Sequence, residues 1–302
     1  MIHGILNVYK EKGYTSHDVV AKLRGIVKQK KIGHTGTLDP EAEGVLPVCL
    51  GTATRVCDLL TEKKKTYRAV LLLGKVTDTQ DLTGQVLSQR PVECREEQVR
   101  EVLGSFVGER EQIPPMYSAV KVNGKRLYEL ARQGQEVERK PRKVIFYEIL
   151  PEKIELPRVT FLVTCSKGTY IRTLCHDIGE SLGCGGCMES LIRTASGSFR
   201  AEESHTLDCI KYMVEENRLE EILQPVDTVF FDLPGVTLGE KALRLVQNGN
   251  PFPGSMVQEK GEPEDGKRVR VYGENQEFLA VYQWKAKQSL YYPVKMFLPD
   301  RR

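Results

Sequence analysis

Strand-like and helix-like segments alternate irregularly over residues 1–235, and this order constrains the fold more than any other feature of the sequence. Short apolar or alternating runs predict strands over residues 5–9, 45–50, 66–73, 144–150 and 159–165. Helical spacing follows a capping Thr15 or Ser16 at Val19, Val20, Leu23, Ile26 and Val27, and recurs over residues 95–106, 127–134 and 170–182. Hairpin-type connections, including a predicted Asn123-Gly124 turn, favour an α+β domain with a mixed, largely antiparallel sheet over a doubly wound one.

A second unit is predicted after residue 235. Between Pro225 and Gly235 the spacing typical of helices and strands is lost, in a connection that contains Pro and Gly. One helix, Glu240 to Gln247, and three strands, residues 269–272, 278–284 and 291–297, are predicted beyond it. We therefore expect a domain at residues 1–235 and a small β-rich domain at residues 236–302.

Composition is that of an ordinary globular protein with a weak basic excess. The 302 residues carry a formal net charge of +3, and residues 236–302 hold eleven Lys/Arg against eight Asp/Glu, so the whole excess lies there. This distribution permits an acidic partner without demanding one. No stretch approaches the roughly 20 apolar residues of a membrane helix, and the start of the chain predicts a strand instead of a signal peptide. We expect no membrane association and a cytoplasmic location.

The eight cysteines predict reduced thiols and no metal site. No secretory signal accompanies them, and disulfide frameworks belong mainly to secreted chains. Cys184 and Cys187 form the only close pair, whereas structural zinc usually requires two such pairs or a paired His motif. We interpret residues 184–187 as a Gly-rich turn.

The segment from Gly33 to Pro40 is dense in residue types that loops use for function. Its glycines allow tight turns or close approach of the backbone to a ligand. Pro40 disfavours a helical conformation at Asp39 and so presents this carboxylate from an extended backbone. Two interpretations stay open from the residues alone: a functional carboxylate, or an ordinary turn opened by Asp-Pro.

Four segments resemble the TruB family of tRNA pseudouridine synthases. The longest, Gly33-His-Thr-Gly-Thr-Leu-Asp-Pro-Glu-Ala-Glu-Gly-Val-Leu46, is similar to the family's catalytic motif over fourteen consecutive residues. The other three follow in the family's order: Lys65-Thr-Tyr67-Arg68, Ile113 to Tyr128, and Cys165-Ser-Lys-Gly-Thr-Tyr170-Ile-Arg172. The resemblance covers residues 1–235 well. It implies the pseudouridine synthase fold, with an RNA-gripping insertion at about residues 75–142.

The C-terminal unit resembles the family more loosely. Residues 242–251, Ala-Leu-Arg-Leu-Val-Gln-Asn-Gly-Asn-Pro, are similar to its PUA-type RNA-binding module. A departure lies near the N-terminus, where the family usually has Asp-Lys-Pro-x-Gly and this chain has Tyr9-Lys10-Glu11-Lys12-Gly13.

The resemblance implies three catalytic residues. Asp39 supplies the reactive carboxylate, Arg172 pairs with it, and Tyr67 stacks on the uracil and helps to remove the proton from C5. Without the resemblance, Tyr67 is an ordinary half-buried strand residue and Arg172 a cation at a helix end. Isomerisation of uridine changes neither atom count nor oxidation state, so no cofactor is expected.

Four more residues are implied to bind substrate: Lys10, His34, Tyr170 and Leu191. His34 is expected to act as a wedge that fills the space left by a flipped base, although it could equally be a loop His bonded to its own turn. Tyr170 and Leu191 are also compatible with core positions, and Lys10 with a surface charge. Eight basic residues are expected to contact phosphates or to form a mixed solvated surface: Lys121, Lys125, Arg126, Arg132, Arg139, Lys140, Arg142 and Lys143.

The leading hypothesis is a stand-alone, monomeric enzyme without an obligatory protein partner, which isomerises the T-loop uridine at position 55 of tRNA. Two alternatives compete with it. One is an RNA chaperone or binding module whose function does not use Asp39. The other is the guide-dependent pseudouridine synthase of archaeal and eukaryotic ribonucleoproteins, which shares the catalytic motif. The continuous segment from Lys75 to Arg142 favours independent recognition of tRNA.

Overall fold

The computed structural model describes residues 1–122, 124–257 and 263–298. The elements of the first part, in chain order, are β1 (Gly4–Lys10), α1 (Ser16–Ile26), β2 (Ile32–His34), β3 (Glu43–Leu50), α2 (Cys57–Thr61), β4 (Lys65–Leu73), β5 (Lys75–Thr77), β6 (Val86–Gln89), α3 (Glu96–Ser105), β7 (Gly108–Gln112), β8 (Lys121–Val122), β9 (Lys125–Arg126), α4 (Leu127–Arg132), β10 (Arg142–Glu155), β11 (Arg158–Cys165), α5 (Ile171–Ser181), β12 (Gly186–Ser196), β13 (Phe199–Arg200), α6 (Leu207–Glu215) and β14 (Leu223–Gln224). The second part contains β15 (Gly235–Thr237), α7 (Glu240–Gln247), β16 (Phe252–Pro253), β17 (Arg268–Tyr272), β18 (Phe278–Lys285) and β19 (Leu290–Met296).

A ten-stranded sheet forms the centre of the described structure. Its main path runs β14-β1-β3-β12-β4-β11-β10-β7, with β2 paired to β3 and β13 paired to β12. The pair β12–β3 is parallel, and the other strand pairs of this sheet in the described residues are antiparallel. The predicted α+β fold with a mixed, largely antiparallel sheet is confirmed.

The two halves of this sheet carry separate hydrophobic cores. Apolar side chains of β4, β10 and β11 pack with those of α3 and α5, whereas those of β1 and β3 pack with α1 and α6. Strand β12 lies where the halves meet, between β3 and β4. The loop between β2 and β3, residues 35–42, lies at the same junction. We call it the catalytic loop.

The sequence did not predict strand β12 or helix α6. Strand β12 is one of the most extensively paired strands, yet its alternation of polar and apolar residues is broken. Its pairing with β4 shifts register between Met188 and Ser190 and again between Arg193 and Ala195, and its buried face includes the charged Arg193. Bulges of this kind reset the period of two on which strand prediction depends.

The β-rich C-terminal unit is also confirmed, as a five-stranded sheet of order β15-β17-β18-β19-β16 with its own core. It packs onto the central sheet through a shared cluster in which Val281 and Phe297 meet Ile5, Val45 and Cys49. Among the described residues, no helix has the length and apolar character needed to cross a membrane.

The predicted hairpin near residue 123 is present as the antiparallel pair β8–β9, with Gly124 at φ +83°. Asn123 itself lies outside the described residues. Residues 113–134, which contain β8, β9 and α4, are called the hairpin segment below. Strand β7, although inside the predicted insertion at residues 75–142, forms an edge of the central sheet beside β10.

Candidate active site

The catalytic loop is fixed by hydrogen bonds to several different elements. The Thr35 N–H donates to the carbonyl of Pro47 (3.1 Å), and the Leu38 N–H donates to the Ser16 hydroxyl (2.9 Å). The carbonyl oxygen of Pro40 accepts from the Gly13 N–H (2.9 Å). The backbone on both sides of Asp39 is therefore held in place before any substrate arrives.

Asp39 faces the guanidinium of Arg172, in the first turn of α5. Arg172 Nη2 donates to Asp39 Oδ1 (3.3 Å), and Nε lies 2.9 Å from Oδ2. The Arg172 side chain is 4% exposed, whereas that of Asp39 is 39% exposed. One charge-assisted hydrogen bond and a second, purely ionic contact at Nε, both from a buried partner, fix the direction of the carboxylate and leave it open to solvent.

Three further groups hold Arg172. Its Nη1 donates to the carbonyl of Thr79 (3.0 Å), and its Nη2 donates to the carbonyl of Tyr117 (2.8 Å). The carboxylate of Asp81 lies 3.8 Å from Nε. The guanidinium thus joins Asp39 to residues of the predicted RNA-gripping insertion. Asp81 was not among the predicted site residues, since one Asp in a polar Thr/Asp connection gives no distinguishing signal.

Tyr67 lies on the inward face of β4 and is 9% exposed. It packs in the same hydrophobic cluster as Leu38 and Leu191. Burial raises the pKa of its phenol, and the negative charge of Asp39 acts in the same direction. The predicted residues Asp39, Tyr67 and Arg172 therefore lie in one neighbourhood, with Asp39 and Arg172 in direct contact.

Arg193 was missed by the sequence reasoning and lies at the centre of this neighbourhood. It is 1% exposed and sits opposite Tyr67 in the β12–β4 register. Its Nε donates to the carbonyl of Val45 (2.6 Å), and its positive charge opposes the rise in the pKa of the Tyr67 phenol. Its position two residues after Leu191, on the same face of one strand, would have revealed it had β12 been predicted.

Tyr170 and Leu191 border the site from two elements. Tyr170 is the N-cap of α5, and the side-chain amide of the buried Gln112 holds its backbone from both sides. Gln112 Nε2 donates to the Tyr170 carbonyl (3.0 Å), and Oε1 accepts from the Tyr170 N–H (2.8 Å). Leu191 is 7% exposed and belongs to the cluster that contains Tyr67.

Lys10 is placed differently from a phosphate-binding lysine. It is fully buried, and its ammonium donates to the carbonyls of Glu11 (3.0 Å), Tyr14 (2.6 Å) and Pro40 (3.1 Å). All three N–H donors are therefore used inside the protein. These contacts tie the residue 10–14 turn, which departs from the family pattern, to the catalytic loop.

His34 ends β2 and lies against His17, with ring centroids 5.4 Å apart in an edge-to-face arrangement. Its Nδ1 accepts from the Gly36 N–H at 3.4 Å. Burial, with the nearby His17 as a second cause, lowers the pKa of the imidazole below its ordinary value of 6.5. The ring is thus neutral at pH 7.

The predicted basic stretch does not form one uniform surface. Lys143 pairs with Glu109 (2.9 Å) and Arg139 with Glu136 (3.3 Å). Lys121 and Lys125 are exposed on the β8–β9 hairpin, and Arg132, Lys140 and Arg142 are exposed as well. The exposed members of the stretch are therefore spread from the hairpin to the start of β10.

Comparison with known families shows the family to which the chain belongs. Residues 24–171 match the model of the TruB family pseudouridylate synthase N-terminal domain, and residues 172–230 match that of the tRNA pseudouridylate synthase B C-terminal domain. The chain belongs to the TruB family of pseudouridine synthases. It is therefore an isomerase by class, as the resemblance of its motifs implied.

Full-length relatives support membership of the TruB family. The tRNA pseudouridine synthase B of Lachnoclostridium phytofermentans is 52% identical over 307 residues, covering 98% of this chain and 100% of that protein. The protein of the same name from Bacillus subtilis (strain 168) is 44% identical over 306 residues, covering 99% of this chain and 98% of that protein.

Solved structures confirm the pseudouridine synthase fold. One is an H/ACA RNP bound to a substrate RNA containing 2'-deoxyuridine, with a TM-score of 0.72 and 28% identity, covering 98% of this chain and 86% of that chain. Another is a Cbf5-Nop10-Gar1 complex, with a TM-score of 0.71 and 30% identity, covering 98% of this chain and 85% of that chain.

Proposed function

We propose that this TruB family member isomerises the uridine at position 55, in the T loop of tRNA, to pseudouridine, with Asp39 as the reactive group. The observation that carries the proposal is the two-point contact between Asp39 and the buried Arg172. A carboxylate that is aimed, anchored and still reachable is what the reaction requires, because the target base must approach it from solvent.

The reaction needs one group that starts cleavage of the N1–C1′ bond, as a nucleophile or as a base, and a second group that takes the proton from C5. It needs no oxidant. The N1–C1′ bond breaks, the uracil turns, C5 bonds to C1′, and the original C5 hydrogen leaves as a proton. Asp39 is suited to attack on the sugar or base, or to removal of a sugar proton, and both routes fit its geometry. In either route Arg172 holds the carboxylate while charge moves onto the substrate.

Tyr67 is assigned two tasks. Its ring offers a face on which the extruded uracil can stack, and its hydroxyl takes the proton that leaves C5. Burial among Leu38, Leu191 and the β4 core supports the first task, because stacking is strongest where water is excluded. Its proximity to Asp39 supports the second.

Base flipping is assigned to the rim of the site. A uridine in a folded T loop is stacked, so it must leave the stack before Asp39 can reach it. His34 is neutral and partly buried beside the loop that carries Asp39, which suits an aromatic wedge better than a phosphate contact. Lys10 acts on the substrate indirectly, through the position of Pro40.

A free tRNA is the substrate we favour over an RNA presented by a guide. The full-length relatives at 44–52% identity are named tRNA pseudouridine synthase B, whereas the ribonucleoprotein structures match at 28–30%. The hairpin segment touches the site directly through Arg172 and Tyr117, which supports recognition of RNA within this chain. We accordingly propose a cytoplasmic monomer that acts without an obligatory protein partner.

The test uses tRNA carrying tritium at uridine C5. Isomerisation at position 55 releases that tritium to water, and replacement of U55 by cytidine abolishes the release. A protein that binds or remodels tRNA without chemistry releases none, and this outcome would contradict the proposal in favour of a chaperone. Release only in the presence of a guide RNA would contradict stand-alone action.

A further inference from the structure

Arg193 is a buried cation whose partners are unusual. In the described part of the chain its guanidinium donates to the carbonyls of Val45 (Nε, 2.6 Å) and Gly36 (Nη2, 3.5 Å), and Tyr67 lies directly opposite it on β4. None of these groups is a carboxylate. Burying a guanidinium costs several kcal/mol unless its charge and its donors are satisfied. Carbonyl oxygens accept from its donors but carry no full negative charge to offset that of the guanidinium.

The neighbours of Arg193 respond to this charge. The pKa of Lys65 is lowered to about 8 by burial first and by Arg193 second. Burial also lowers the pKa of Lys10 to about 8; Arg193 acts in the same direction there, whereas Glu43, Asp39 and Glu41 oppose it. The positive charge of Arg193 therefore disfavours a second cation most clearly at Lys65. A charge placed in this way also stabilises an anion formed beside it.

Of Val45, Gly36 and Tyr67, only Tyr67 can change its charge during the reaction. Backbone carbonyls stay neutral, whereas a phenol can ionise. The register of β12 against β4 sets Arg193 opposite Tyr67, and a register shift directly after Arg193 marks a bulge. Bulges near active sites commonly redirect a side chain. The same guanidinium reaches Gly36 and Val45 on the two sides of the catalytic loop.

We propose that Arg193 is a positioning residue that holds the Tyr67 hydroxyl and the catalytic loop in one frame and stabilises the Tyr67 phenolate that removes the C5 proton. This inference rests on the proposed function. In the step, the phenolate oxygen bonds the proton, the electron pair of the C5–H bond forms the C5–C6 double bond, and the π pair of the C6–N1 bond moves onto N1, which takes a proton from water. The phenol then returns a proton to water, and the guanidinium keeps its charge throughout.

The charges around Tyr67 explain why such a partner is needed. Burial raises the pKa of the phenol, and Cys165 on β11 and Asp39 in the catalytic loop act in the same direction. Arg193 on β12 opposes them by its charge. Without Arg193, all the remaining influences would keep Tyr67 protonated, and a protonated phenol cannot accept the C5 proton.

The experiment places 3,5-difluorotyrosine at position 67 of the full-length protein. Its phenol is more acidic than that of tyrosine, which brings ionisation into an accessible pH range, and ¹⁹F NMR reports the ionisation directly. The variants are R193M, which fills the volume without charge, and R193K, which keeps the charge. K65M is the matched control, since Lys65 is a buried cation that donates to the carbonyls of Thr61 and Lys63.

We expect R193M to lower the ionisation constant of the phenol at least about tenfold, because the positive charge opposite the phenol has been removed. R193K should retain most of the wild-type value, and K65M should change it by less than about threefold. With natural Tyr67, R193M should lower single-turnover tritium release about 10²-fold at unchanged affinity for a T-arm hairpin. In R193M, replacing Tyr67 by 3,5-difluorotyrosine should raise the rate of tritium release again by about tenfold.

An unchanged ionisation constant in R193M, or an R193M defect that the acidified phenol does not relieve, would overturn the role of Arg193. Should R193M fail to fold, R193Q replaces it as the uncharged variant. If the ionisation constant of the phenol were the same in R193K as in R193Q, the charge at position 193 would have no effect. This result would also overturn the proposed role of Arg193. These failures differ from failure of the proposed function, in which the wild-type protein releases no tritium from position 55.

Discussion

The catalytic loop and the hairpin segment are held by different means. The catalytic loop is tied by hydrogen bonds to α1, β3, the residue 10–14 turn and the side chain of Lys10, and several of these partners are buried. The hairpin segment is held largely by bonds among its own residues, such as Tyr128 N to Ser118 O (3.1 Å) and Leu127 N to Val120 O (2.8 Å). Arg172 connects the two through Asp39 and Tyr117.

This difference separates chemistry from recognition. Reaction geometry tolerates little error, so the reactive carboxylate is placed by a pre-organised frame. Binding of a large folded RNA tolerates, and often uses, adjustment of the binding surface. We therefore expect substitutions in the catalytic loop and its supports to lower the rate at constant affinity. Substitutions on the hairpin segment should lower the affinity at constant rate.

The largest effect is expected at Asp39. Asp39→Asn keeps the shape of the side chain but removes the nucleophile or base, so tritium release should fall by about 10⁴-fold or more while tRNA affinity stays within about tenfold. Single-turnover assays and filter binding measure the two quantities. Turnover near the wild-type rate would remove Asp39 from the mechanism.

Arg172→Lys should come next. Lysine keeps the charge but loses the planar two-point contact with Asp39 and cannot also reach the carbonyls of Thr79 and Tyr117, so we expect about a 10²-fold lower rate of tritium release. Arg158→Lys is the matched control, because Arg158 lies on β11 and pairs with Glu189 on β12, away from Asp39. If both variants were equally active, the buried pair would have no role in the rate.

Lys10→Met should affect stability and rate together. Three carbonyls lose a donor, at a cost of ~1–3 kcal/mol each where no other partner is available, and Pro40 keeps only the hydrogen bond from the Gly13 N–H. The pKa of Lys10 is lowered by burial from 10.5 to about 8, so between these pH values the unfolded chain binds the proton that the folded chain has released. Stability of the wild type relative to K10M should therefore rise from pH 8 to pH 10.5.

Urea unfolding of both proteins across this pH range measures the difference. If the difference in unfolding free energy between the wild type and K10M decreased as the pH rises, the pKa of Lys10 would not be lowered by burial in the folded protein.

The hairpin segment should give the smallest effect on chemistry. Replacing both Lys121 and Lys125 by Gln should weaken tRNA binding and lower the slope of log affinity against log salt by about 0.7–0.9 for each phosphate that the hairpin no longer neutralises. The rate at saturating tRNA should not change. Lys153→Gln is the control, since Lys153 pairs with Glu155 on β10, outside the hairpin segment. An unchanged salt slope in the double variant would show that this hairpin does not meet phosphates.

The sequence predicted most of the fold and part of the site. Helix α7 was predicted with its observed bounds, and β1, β3, β4 and α5 within two residues, because each has an uninterrupted period and clear ends. Asp39, Tyr67 and Arg172 were found through motifs. Arg193 was missed with its strand, because bulges and a buried charge hide the alternation of β12.

The role of Lys10 was also hidden from the sequence. A lone lysine near the start of a chain is typical of a surface charge or a phosphate ligand, and only the fold brings the carbonyls of Glu11, Tyr14 and Pro40 around its ammonium. Contacts between residues 30 positions apart leave no mark in local periodicity. The positioning residues of this site were therefore harder to predict than the reactive one.

The central claim is that Asp39, held by Arg172, drives rearrangement of a T-loop uridine. It is tested most directly with a T-arm hairpin carrying 5-fluorouridine at the target position. After C5 joins the sugar, fluorine cannot leave as a proton, so the reaction should stall beyond the rearrangement. Mass spectrometry of the digested RNA and a denaturing gel should show a rearranged, hydrated fluorinated nucleoside or a stable protein–RNA adduct, formed by the wild type and absent with Asp39→Ala. Unchanged 5-fluorouridine after long incubation with enzyme that is active on uridine, or equal processing by Asp39→Ala, would contradict the account.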